Sequence, residues 1–134
     1  MDIIRRRPES RPGSPENFTG TVWIDSIVAS DASSRLRANS VHFMPGARTA
    51  WHSHLNGQVL HLTEGTGRAQ ERGGPLQEIR AGDTVVSAPG EWHWHGAGPQ
   101  HFMTHIGMSD AGTGIGDTTW GEHVSEAEYL ATVE

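Results

Sequence analysis

The chain has no cysteine. That excludes disulfides, thiolate metal sites and a cysteine nucleophile together, and it fits a reducing compartment. Positive charge is also scarce: ten Lys and Arg stand against sixteen Asp and Glu, for a formal net charge of −6. The one basic run, Arg5-Arg6-Arg7, reads as part of a solvated arm, so no nucleic-acid partner is expected. No apolar stretch reaches the length of a membrane span. The segment from Met1 to Gly13 carries charges but no apolar core of the secretory kind. The expectation is a cytoplasmic protein without a membrane partner.

What is present in quantity is glycine, seventeen residues, and histidine, nine, in a chain of 134. The length allows one domain with a real core. Glycine and proline, often beside polar residues, punctuate short β-type runs. Residues 1–18, interrupted by Pro8, Pro12 and Pro15, read as an extended arm; residues 19–134 read as the domain. Strands are predicted over 21–27, 38–43, 49–54, 58–63, 67–71, 76–79, 84–88, 93–96 and 102–108, with residues 109–119 as a loop. Asn56-Gly57 suits a tight hairpin turn. Only the end looks helical, where Ser125-Glu126-Ala127-Glu128 forms a capping-box pattern. The fold class is all-β, a sandwich or barrel.

The histidines are placed unevenly. His52-Ser53-His54 is followed by Gln58, and about forty residues later comes His93-Trp94-His95. Side chains at i and i+2 of a strand share a face, so each pair projects together, and one lumen could receive His52, His54, Gln58, His93, His95 and His105. Imidazole suits Mn, Fe, Ni, Cu and Zn, and an amide oxygen adds a harder donor. Three or four protein donors leave positions open for substrate. A lone histidine is more often a hydrogen-bonded core or surface residue; two HxH pairs are not so explained. His42, His61 and His123 are expected to be surface or structural, and His101 lies at a turn. The five tryptophans are expected in the core or at an interface, with Trp92 and Trp94 turned away from the ligand face. Val41, Phe43, Leu60, Leu62 and Met103 are the expected apolar lining, and Arg48 the expected member of a structural ion pair.

Gly46-x5-His52-x-His54-x3-Gln58-x6-Gly65 resembles the first cupin motif at every defined position except Gln58, and Gly82-x7-Gly90-x2-His93 resembles the second. The resemblance implies a single-domain jelly-roll β-barrel with a metal in its mouth, often in homodimers or homotetramers. The longer runs Phe43 to His54, Pro89 to Ala97 and Met103-Thr104-His105 are similar to bacterial cupin hydroxynitrile lyases, manganese-type enzymes that cleave cyanohydrins to an aldehyde and hydrogen cyanide. That resemblance places the metal on His52, His54, Gln58 and His93, with manganese first and iron, zinc or nickel open. It makes His95 and His105 the additional, catalytic histidines. Asn39 and Ser109 depart from that group's residues and leave the small-molecule substrate open.

Three imidazoles and an amide leave a divalent ion's charge uncompensated, which strengthens its Lewis acidity. Non-redox chemistry on an alcohol or carbonyl oxygen is therefore expected, with a histidine moving the proton. His95 has a second possible role, orienting His93 or a bound water. A cupin dioxygenase using Fe or Mn, and a non-catalytic cupin that binds a small ligand, are the alternative readings.

Overall fold

The computed structural model describes residues 1–113 and 116–134. Its elements run β1 (Arg11–Pro12), β2 (Phe18–Thr19), β3 (Val22–Val28), β4 (Leu36–Phe43), β5 (Arg48–Thr49), β6 (His52–His54), β7 (Gln58–Glu71), β8 (Leu76–Arg80), β9 (Thr84–Ser87), β10 (His93–Ala97), β11 (Met103–Asp110), β12 (Thr118–Trp120) and α1 (Glu126–Tyr129). All pairings are antiparallel. They curl one sheet into a jelly-roll barrel, in the order β1-β3-β4-β11-β7-β10-β5-β2, with β8 and β9 added on β7 and β6 and β12 beyond β10. No helix of the described residues is long and apolar enough to cross a membrane.

The hinge of this curl is β7. Its first half pairs with β9 and β11, its second with β8 and β10. The sequence predicts two strands here, split at Gly65; the structure has one of fourteen residues. Its register against β11 slips between Thr104 and His105. Such a bulge turns the alternation over by one residue. Leu60 and Leu62 face inward before it, and Gly67 pairs with Ile79 and Ala69 with His95 after it. Small residues there are a packing requirement: a Cβ on Gly67 would stand 2.2 Å from Met103 Sδ and 2.4 Å from Gly96 O. A turn forms at Asn56-Gly57, with Gly57 at φ +80°, a backbone state that glycine reaches without strain. It is not the tight hairpin expected: β6 pairs with β10 and β12, and β7 with β8, β9, β10 and β11.

Two apolar clusters flank the site. Val22, Phe43, Leu62, Ile79 and Met103 fill the lumen's closed side. Trp51, Leu76, Trp94, Val124 and Tyr129 form the other, where α1 docks. Ser125 and Glu128 make the predicted capping box. Buried Arg48 lies 4.4 Å from the Tyr129 ring centroid and 3.5 Å from Glu126, the structural role expected of it.

Part of the extended arm is paired. Arg11 and Pro12 pair with Trp23 and Ile24 on β3. Just before them, Ser10 donates to Asp25, which also meets His42 Nε2 at 2.9 Å and Arg7 at 3.4 Å. Asp25 is 7% exposed. The Ser10 bond, then the His42 bond, hold its carboxyl below the usual range, against an opposing push from burial. A lowered folded pKa gives stability that is present above the ordinary carboxylate value and disappears as the pH falls through the folded one. Asp25→Ala should therefore cost about 1–3 kcal/mol at neutral pH, and the gap should close in acid. Urea denaturation at the two pH values checks it.

Candidate metal centre

Strand alternation and pairing do the positioning. β6 and β10 are antiparallel neighbours with His93 opposite His52. His105 enters from β11 opposite Val41, and Gln58 starts β7. The rings gather around His52, whose centroid is 4.4 Å from that of His93, 5.2 Å from His54 and 5.3 Å from His95. His54 and His93 are 5.8 Å apart. Gln58 Oε1 is 3.2 Å from His93 Nε2. All six predicted site residues thus meet in one lumen.

The tightest group is His52, His93 and His95, each with one donor atom within 4.8 Å of the others. One ion could touch all three. The predicted ligand set shares His52 and His93 with this trio and has His54, rather than His95, as its third imidazole. His54 packs against the same two rings.

The far nitrogens decide which atom faces inward. His52 Nδ1 is 2.9 Å from Ala50 O, and His93 Nδ1 is 3.1 Å from Glu91 O. A carbonyl only accepts, so each Nδ1 carries the proton, and a neutral ring then leaves Nε2 with a lone pair. At His93 that lone pair faces Gln58 Oε1, also an acceptor, and an ion between the two would satisfy both. His54 Nδ1 is 3.2 Å from Thr118 Oγ1. The Nε2 atoms of His54 and His95 are buried with no hydrogen-bond partner. A bare buried polar atom costs about 1–3 kcal/mol, and a divalent ion among these donors would satisfy them. The residues present fit a metal.

Burial keeps the donors neutral. It pushes His52 and His95 well below the ordinary imidazole value, His93 below it, and His54 and His105 to about 4. Neighbouring imidazoles add to the effect, His93 on His52 and His54, and His105 on His95. A neutral imidazole is the form that binds metal.

Two cavities flank these rings. One, of about 230 Å³, is walled by Val41, Phe43 and Trp120 and by Arg37, Asn39, Ser109 and Thr118. The other, of about 180 Å³, lies against Leu60, Ile79 and Val85. His95 borders both. The expectation of an apolar lining holds for Val41 and Phe43 only. Leu60 faces the second cavity, while Leu62 and Met103 are spent on the core. The mouth is half polar because β4 and β11 bring Arg37 opposite Ser109 and Asn39 opposite Gly107.

His95 and His105 form their own pair, Nδ1 to Nε2 at 3.2 Å. The remaining histidines lie elsewhere: His42 on Asp25 and Thr104, His61 on Thr84, His123 on Thr19, and His101 exposed. Trp94 and Trp51 are core, as expected. Trp120 is not. Its ring lies 4.6 Å from His52 at 31°, at the end of a strand, β12, whose first two residues fall within the predicted loop. Residues 114–115 of that loop lie outside the described residues. The strand-favouring run Thr118-Thr119-Trp120 was the available signal, too short to stand out after a glycine-rich run.

Comparison with known proteins agrees with this architecture. A family model described as a cupin domain matches residues 39–102. The chain is 45% identical over 130 residues to an (R)-mandelonitrile lyase of Granulicella tundricola, covering 96% of this chain and 98% of that protein. A crystal structure of a cupin-like protein from Thermotoga maritima superposes with TM-score 0.86 at 40% identity, over 99% of this chain and 98% of the other. A polyketide cyclase from Streptomyces resistomycificus, 16% identical, shares the fold with TM-score 0.73 over 96% of this chain and 91% of its own.

Proposed function

We propose that this chain, which belongs to the cupin family, is a metal-dependent lyase that cleaves cyanohydrins to an aldehyde and hydrogen cyanide. The observation that carries the reading is a hydrogen-bonded histidine pair, His95 with His105, beside a buried set of neutral donors. The 45% identity to a mandelonitrile lyase supports it. In this reading His52, His54, Gln58 and His93 hold a divalent ion, manganese by preference. Bound there, the ion supplies Lewis acidity that makes a substrate hydroxyl more acidic.

The rest is the work of the chain. The pair His95–His105 has four ring nitrogens. Two face each other and two, His95 Nε2 and His105 Nδ1, are buried without partners. With both rings neutral, one proton lies between them and one on an outer nitrogen. When His95, which lines the cavity, donates through Nδ1, its Nε2 is a bare base. It takes the hydroxyl proton and can pass its Nδ1 proton to His105 Nε2. As the carbon–carbon bond breaks, its electron pair leaves on cyanide. The proton returns through His95 to give hydrogen cyanide, and both rings end neutral. Phe43, edge-on to His95 at 5.9 Å, helps exclude water. Homodimers or homotetramers, through strand edges left open in the barrel, belong to the same proposal.

Cyanide release from mandelonitrile by protein loaded with Mn(II), Fe(II) or Zn(II) is the expected result. No release across a panel of aromatic and aliphatic cyanohydrins would overturn the reading. Oxygen consumption on a phenolic or diketone substrate would replace it with a dioxygenase.

A further inference from the structure

His52 and His93 are oriented by backbone carbonyls, Ala50 O and Glu91 O. His54 is different: its Nδ1 meets a side chain, Thr118 Oγ1, at 3.2 Å. Thr118 sits directly opposite His54 in the β12–β6 pairing, and its Oγ1 is also 3.3 Å from Asp117 Oδ2. Asp117 is paired with Arg37. Arg37 is itself pinned by Ser109 Oγ, which accepts from both Nε and Nη2 at 3.2 and 2.9 Å. The series runs from β11 through Arg37 of β4 and Asp117 to β12 and ends on β6, tying the two walls of the mouth together.

A hydroxyl has one proton to give. The Asp117 carboxylate can only accept, so Thr118 spends its proton there. Its oxygen is then left to accept from His54, which must carry its proton on Nδ1. The Nε2 of His54, 93% buried as a residue and without a partner, is thereby a bare lone pair. We propose that Thr118, held by Asp117 and Arg37, is a positioning residue that sets the tautomer of His54 and presents its Nε2 as a metal donor. The second half rests on the metal-dependent reading above; the first does not.

Outer partners of metal-bound histidines typically account for about 10–100-fold in metal affinity. The test compares wild type, Thr118→Val, Thr118→Ser and Asp117→Asn. The His54 tautomer is read from ring ¹⁵N shifts in metal-free protein, and Mn(II) affinity from competition with a chelator. Wild type and Thr118→Ser should show His54 protonated on Nδ1. Thr118→Val should lose that preference and bind Mn(II) about 10–100-fold more weakly, with the His52 and His93 shifts in place. Asp117→Asn should fall between. An unchanged His54 tautomer in Thr118→Val overturns the proposal, as does failure of Thr118→Ser to rescue. A changed tautomer with unchanged Mn(II) affinity upholds the positioning role and removes His54 from the ligands. A protein that releases no cyanide leaves both readouts intact.

Discussion

His52→Ala protein is expected to purify without stoichiometric metal and to release no cyanide from mandelonitrile above background. His52 is the hub of the centre: three imidazole centroids lie within 5.3 Å of its own, and Trp120 covers it at 4.6 Å. It belongs both to the predicted ligand set and to the trio of closest donors. Losing only an outer partner of a ligand costs about 10–100-fold in affinity; losing the shared ligand must cost more. The barrel should survive, because β6 holds its place through pairing with β10 and β12 and the lost ring is not part of either apolar cluster. Elemental analysis, a thermal melt and a cyanide assay on one preparation separate loss of metal from loss of fold. Full metal content in this variant would contradict the site.

The second large effect is expected at His95. His95→Gln should keep its metal and lose about 10²–10⁴-fold in kcat/KM, the usual weight of a general acid–base group. The ring is buried, neutral and bonded to His105, it lines the cavity, and its Nε2 has no partner. Glutamine fills similar space but cannot take up a proton. His105→Gln should lose less, since in the proposed relay His95 takes the hydroxyl proton and His105 only receives it onward. The geometry makes metal content the deciding number. His95 stands with His52 and His93 within 4.8 Å, so a variant that loses both metal and turnover would make His95 a ligand and leave the base role to His105.

The barrel and most of its centre were legible because two-residue alternation is written plainly in His52-Ser53-His54 and His93-Trp94-His95, and pairing of β6 with β10 follows from burying both. The capping box at Ser125 was legible for the same reason, as a local pattern with a local cause. What escaped was set by long-range pairing. The bulge in β7 reverses the inward face after Leu62, which no periodicity in Gln58–Glu71 announces. β12 is only three residues long, and its role exists solely because it lies beside β6. Arg37 and Asp117 are eighty positions apart, joined by the fold alone. The apolar lining was over-predicted because alternation names which residues face in, but not how deep each lies.

The shared strand β7 leaves the barrel with one adaptable wall. A strand paired along both halves of the curled sheet, with Gly65 and Gly67 pressed against Phe102 O and Met103 Sδ, admits no added side chain there and cannot move without shifting both halves. The neighbouring strand β11, paired with the first half of β7, is more permissive. A methyl on Gly107 would meet only ordinary contacts, at 3.5 Å from His105 and 3.6 Å from Leu60, and Asn39 and Ser109 project beside it into the same cavity. Divergence of substrate preference, in nature or in a mutant library, is thereby channelled into β4 and β11, while the histidine cluster of β6 and β10 stays outside those two strands.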